Sequence, residues 1–161
     1  MQLTLKDPTL AKKITVGALE TGDLPQLGIT GLNMRVDTGA ATSALHVENI
    51  EEFINDGKKW VSFDLLPEIH NIALAVRISC RVKGAKKVKT ATADTQRRVV
   101  IDTKLTLGKK IWNIKLTLTD RSEMNYPMLL GRQAMVGRLV VDPESEFLLA
   151  KAKSTKPKTA A

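Results

Sequence analysis

The stretch from Arg35 to Leu45, RVDTGAATSAL, sets a carboxylate at the end of an alternating apolar run and follows it with threonine, glycine and small residues. A charged group in such a tight turn is costly to place and useful for chemistry. Two carboxylates facing one water molecule can hydrolyse an amide. At about 3 Å they repel by roughly 5–6 kcal/mol at an effective dielectric near 20. The pair therefore keeps one proton and titrates as a unit. Its ionised member takes a proton from water while the protonated member hydrogen-bonds the carbonyl. Gly39 lets backbone approach the Asp37 carboxylate closely, and Ala40 leaves space for substrate. No second Asp-Ser/Thr-Gly exists, because Gln96 follows Asp94-Thr95 and Lys104 follows Asp102-Thr103. The partner carboxylate would then come from a second copy of the chain, on a two-fold axis. The competing reading is an aspartate turn that merely ends a strand.

Other chemistries find less support. His46 and His70 lie far apart, and neither H-E-x-x-H nor C-x-x-C occurs, so no metal site and no cofactor are expected. Each histidine reads as a surface or core residue. A phosphate-binding G-x-x-x-x-G-K-[ST] loop is absent, as is the nucleophile turn G-x-S-x-G.

The elements that must position Asp37 are mostly strands. Period-two alternation runs through Ile14–Ala18, Val61–Leu65, Val76–Val82 and Ile114–Leu118, with a further strand at Val99–Ile101. Turn signals fall at 21–28, 55–59, 83–87 and 107–110. This predicts a small all-β barrel or sandwich. Two short helices are expected, at 48–55 and at 132–137, the latter stopped by Gly137. Trp60, Phe63, Trp112 and Phe147 sit in strand-like apolar segments and read as core.

With 161 residues, 43% of them hydrophobic, the chain suits one domain over 13–150, after a loosely held segment 1–12 and before a disordered basic tail 151–161. No apolar stretch reaches the ~20 residues that span a bilayer, so no membrane partner is expected. Cys80 has no partner for an internal disulfide, which fits the cytoplasm. The formal net charge of +8 draws polyanions. Arg81, Lys83, Lys86, Lys87, Lys89, Arg97 and Arg98 make the middle of the chain basic. These residues are either solvated hairpin faces or a funnel for an acidic substrate.

The segments LPQLGI (24–29), VDTGAATSALHV (36–47), GKKWVSFDL (57–65), RRVVIDTKLTLG (97–108), LTLTDRSEMNYPMLLGRQAM (116–135) and VVDPESEFL (140–148) together resemble a known group. It is the bacterial retropepsin-like proteins labelled ATP-dependent zinc proteases, RimB-type endopeptidases among them. The resemblance implies a small closed retropepsin-type β-barrel and aspartic endopeptidase activity in a homodimer. It also implies an acidic substrate, the poly-glutamate tail that a RimK-type ligase adds to a small-subunit ribosomal protein. Asp37 matches the catalytic aspartate, Thr38 the threonine that braces the two turns across the dimer, and Gly39 the glycine of that turn. Leu130-Gly131-Arg132 matches the segment behind the turn, and 88–101 is the candidate flap hairpin, its tip near Ala93-Asp94. Three departures stand out. Ala41 replaces the usual arginine, Arg132 lacks the acidic partner it has in retroviral enzymes, and Ala93 stands where a flap glycine is expected. Arg98, Arg121 and Arg132, with Ala40, are the expected substrate contacts. Two other readings stay open: a non-catalytic module docking on the ribosome or its RNA, aided by weak contacts of the basic tail, and a peptidase of non-acidic peptides.

Overall fold

The computed structural model describes residues 12–67, 74–89, 92–120 and 125–149. Residues 1–11, the expected basic tail, His70 and Arg121 lie outside them. Strands dominate: β1 (Ile14–Val16), β2 (Leu19–Leu24), β3 (Ile29–Val36), β4 (Ser43–Asn55), β5 (Lys58–Leu65), β6 (Val76–Arg81), β7 (Gly84–Lys89), β8 (Thr95–Leu107), β9 (Lys110–Thr119), β10 (Met128–Leu130) and β11 (Leu139–Val141). One α-helix is described, α1 (Arg132–Met135), and one 3₁₀ turn at Pro25–Leu27. The fold is all-β, as the alternation predicts. No helix among the described residues is long and apolar enough to cross a membrane.

The main sheet runs β10-β3-β2-β8-β9-β4-β5-β6, and β10 also pairs with β4, so six of its strands return on themselves. Alternation decides which side chains fill the ring. Leu32, Met34 and Val36 of β3 point inward, and so do Trp112, Ile114 and Leu116 of β9. They meet Leu45, Val47, Phe63 and Ile101, all fully buried. The order is also what places Asp37: β3 lies parallel to β10, with Val36 opposite Leu130, while β10 runs antiparallel to β4.

The first and last strands are tied by pairing, β1 running parallel to β11, and a buried carboxylate holds the segments beside them. Glu20 is fully buried and accepts the backbone N–H groups of Gly17 (2.8 Å), Leu148 (3.0 Å) and Leu149 (3.2 Å). A buried carboxylate is tolerable only with partners of this kind.

Two sequence expectations are corrected. Residues 48–55 are not a helix but the outer part of β4. Ile50, Phe53 and Ile54 have the spacing of a helix face, but Phe53 and Ile54 are successive strand residues on opposite faces, and Ile50 falls in a bulge between Glu48 and Glu51, with Asn49 at φ 52°. The strand wins because Asp56 and Gly57, at φ 53° and 72°, close a two-residue hairpin that gives it β5 as a complete partner. Trp60 and Phe147 are only half-buried, unlike Phe63 and Trp112. Trp60 stacks on the exposed Phe53, ring centres 6.4 Å apart, near the turn of that hairpin.

Candidate active site

The turn after β3 is held from behind by β10 and α1. The Asp37 N–H donates to Leu130 O at 2.9 Å, continuing the β3–β10 ladder by one residue. The Gly39 N–H donates to Asp37 Oδ1 at 2.9 Å, and Ala40 N–H to Asp37 O at 3.3 Å. A Cβ on Gly39 would stand 3.1 Å from that same Oδ1, so a larger residue would press on the carboxylate. Asp37 is half-buried, whereas Thr38 and Gly39 are exposed. The result is a rigid turn presenting one oriented carboxylate at the surface.

Its rear support is dense. Arg132 N–H donates to Ala40 O (2.7 Å) and Gln133 N–H to Ala41 O (3.0 Å). Gly131 N–H donates to Ser43 Oγ (3.0 Å), and Thr117 Oγ1 donates to Ser43 O (2.9 Å). Gly131 packs so tightly against Thr42 that a Cβ there would overlap the Thr42 carbonyl. Ser43 escaped the sequence reading, since a lone serine four residues past a turn carries no motif.

The predicted contacts separate in three dimensions. Arg132 Nη1 donates to Thr38 O at 2.8 Å, so its partner is the backbone of the Asp37 turn rather than an acid. Ala40 contributes its carbonyl to the same brace. Arg98 is only 5% exposed, on β8, and its Nε donates to Gln96 Oε1 at 3.0 Å. The hairpin expected at 88–101 is present and longer: β7 pairs with β8 from Gly84 opposite Val100 to Lys89 opposite Thr95. Near its tip Ala93 adopts φ 66°, the left-handed conformation that glycine would take without cost. A further tie holds this hairpin. Arg97 Nη1 and Nη2 donate to Glu52 of β4 at 2.9 and 3.1 Å, and that bond to Arg97 is the main reason the Glu52 carboxyl sits below the usual range.

Two cavities lie against Thr42 and Ser43, the residues that follow the turn. One of about 330 Å³ is bounded by Thr42, Lys83, Lys86, Val100, Lys115 and Gln133 among others. The second, about 300 Å³, shares Lys115 and Gln133 and adds Ser43 and Asp102. Lys115, in a strand of ordinary alternation, gave no sign of this place. Cys80 is not a nucleophile candidate: burial pushes its thiol up to about 11, far from the thiolate that cysteine chemistry needs.

The fold does gather one set of possible metal ligands that the sequence keeps apart. His46, Glu48 and Asp120 bring their ligand atoms within 4.8 Å of one another. His46 is buried and lies opposite Thr119 in the β4–β9 register. An imidazole and two carboxylates could hold a divalent cation, but none of them belongs to the turn that carries Asp37.

A family model described as RimB-like, the retropepsin-like aspartic endopeptidase RimB, matches residues 15–152. Among curated proteins, a probable alpha-L-glutamate ligase of Parasynechococcus marenigrum is 44% identical over 140 residues, which is 87% of this chain and 30% of that protein. A probable alpha-L-glutamate ligase of Desulfotalea psychrophila is 42% identical over the same shares. One of Shewanella pealeana is 38% identical over 137 residues, 85% of this chain and 30% of that protein. The chain thus spans under a third of the length of these relatives. Among solved structures, a Legionella pneumophila protein described as of unknown function (DUF785) superposes with a TM-score of 0.70 at 30% identity, covering 84% of this chain and 98% of that one.

Proposed function

Since the chain belongs to the RimB-like family of retropepsin-like proteins, we propose that it is a homodimeric aspartic endopeptidase acting on acidic peptides, glutamyl chains of a ribosomal protein above all. The observation that carries this reading is the turn itself. One half-buried carboxylate, oriented by the Gly39 N–H and braced through Gly131 and Arg132, is presented beside exposed Thr38 and Gly39. That is half of a water-activating pair, and a second copy related by a two-fold axis supplies the other half.

In the dimer the two Asp37 side chains share one proton. The ionised member removes a proton from water, and the resulting hydroxide attacks the carbonyl carbon. Meanwhile the protonated member hydrogen-bonds the carbonyl oxygen. The tetrahedral adduct collapses as a proton passes to the leaving nitrogen, giving a carboxylic acid and an amine. The Gly39 N–H fixes the carboxylate's orientation throughout, which lowers the reorganisation needed at the moment of reaction. An acidic substrate is supported by the basic flank of the turn and by the longer relatives, whose name is that of a glutamate ligase. A ligase that joins glutamate makes an amide, and a hydrolase beside it would meet the same acidic product.

Incubation with hexaglutamate, followed by mass spectrometry, tests this. The parent protein is expected to yield shorter glutamyl products, and Asp37→Asn to lose about 10³-fold or more in kcat/KM. Equal hydrolysis by Asp37→Asn would overturn the proposal. The ligase names favour one second reading, a glutamyl-chain-binding module without hydrolysis. It predicts hexaglutamate binding and no products from either form.

A further inference from the structure

Three lysines from two segments converge on the cavity at Thr42, just past the Asp37 turn. Lys83 precedes β7, Lys86 lies within it and Lys115 comes from β9. The sole carboxylate they meet among the described residues is Asp102, whose two oxygens lie 3.7 Å from Lys83 Nζ and 3.8 Å from Lys115 Nζ. A carboxylate therefore already sits between two of the ammonium groups, which shows that their spacing suits such a group. Lys86 is different: it is half-buried and makes no ion pair among the described residues. It also stands opposite Arg98 in the β7–β8 register, so two cations share one face. Like charges opposite one another raise the positive potential there, and a bound anion would lower it. The wall is open as well, since a Cβ at Gly84 would meet nothing within 4 Å.

The cavity is rigidly linked to the catalytic turn. Gln133, which lines it, donates its backbone N–H to Ala41 O, and Thr42 belongs to the turn's own continuation. An extended peptide advances about 3.3 Å per residue with side chains on alternate sides. A side chain entering this cavity therefore belongs to a residue close to the bond at Asp37.

We propose that the Lys83–Lys86–Lys115 cavity is the subsite that takes a glutamate side chain of the substrate, with Lys86 as its principal cation. This rests on the peptidase reading above and adds residues to its specificity.

The test separates the two ideas by measuring binding apart from cleavage. Fluorescein-labelled hexaglutamate is titrated into Asp37→Asn protein, with and without Lys86→Gln/Lys115→Gln. A second double variant, Lys109→Gln/Lys110→Gln, removes the same net charge at the β8–β9 turn and serves as control. Loss of the subsite pair is expected to weaken binding about tenfold, as two partly exposed charge-assisted contacts would. The control should stay within about twofold, and labelled hexaglutamine should not respond to any of these changes. In hydrolysis by protein with Asp37 intact, the subsite pair should raise KM with kcat nearly unchanged. Unchanged affinity in Lys86→Gln/Lys115→Gln, an equal loss in the control, or no hexaglutamate binding at all overturns the subsite. If hexaglutamate binds through these lysines but the parent leaves it intact, the subsite stands and the peptidase reading falls. Should the parent cleave while the subsite variant keeps its KM, the reverse holds.

Discussion

Gly131 shows how much of the candidate site's geometry one side-chain hydrogen can decide. Its N–H is bonded to Ser43 Oγ, and its Cα lies against the Thr42 carbonyl with no room for a methyl group. Gly131→Ala should force the β10–α1 junction away from the Asp37 turn. The expected cost is about 3 kcal/mol in denaturant unfolding, with hydrolysis lost beyond what residual folding explains. A variant that folds and cleaves like the parent would show that the turn tolerates displacement. Glu20 is a residue of the opposite kind, important for stability and remote from the chemistry. Glu20→Ala strands three backbone N–H groups in the interior, so chemical denaturation should reveal a loss of about 3 kcal/mol. Surviving molecules should keep their kcat. Glu20 sits in no motif, whereas Gly131 belongs to the Leu130-Gly131-Arg132 segment and Asp37 to Asp37-Thr38-Gly39, whose chemistry needs neighbours in sequence.

Among the elements, the β7–β8 hairpin carries the clearest consequence. Its base is fixed by the ladder to β9, while its outer part is tied to β4 by Arg97 and Glu52. Glu52 is 41% exposed, so the tie is screened by solvent and adjusts the hairpin's mobility more than the stability of the whole. Arg97 lowers the Glu52 carboxyl below its ordinary value of 4.5. A depressed carboxyl contributes above the unfolded-state value, and its contribution is lost as pH falls through the lower folded value. Amide exchange at residues 95–98 should therefore accelerate, relative to β9, as pH drops below about 4.5 after correction for intrinsic exchange. In Glu52→Gln the acceleration should already be present at neutral pH. The strand β4 illustrates how an element can mislead. Ile50, Phe53 and Ile54 imitate a helix face by their spacing, although Phe53 and Ile54 lie on opposite faces of the strand and Ile50 falls in its bulge.

At the scale of the whole molecule, the proposed activity belongs to two chains and not to one. Mixing equal amounts of parent and Asp37→Asn protein, with exchange of subunits, should leave about one quarter of the parental hydrolysis rate for the same total protein. Only parent–parent pairs then carry two competent carboxylates. A residual rate near one half would mean that each chain acts alone. Dilution should likewise lower the specific activity once the dimer begins to dissociate.

Local order was legible in the linear chain wherever the cause is local. The Asp37 turn, the alternation of β3, β5, β6 and β9, the Asp56-Gly57 turn and the helix, expected at 132–137 and found at Arg132–Met135, all depend on residues within a few positions of one another. Tertiary structure alone settled what depends on distant partners. It turned 48–55 into a strand by offering β5 as a mate, and it gave Arg132 the Thr38 carbonyl in place of an acid. It also gathered Lys83, Lys86 and Lys115 around one cavity. The physical reason is that a strand's neighbours are chosen by the ring's closure, in which β10 joins β3 and β4 across most of the chain, and no local spacing encodes that choice.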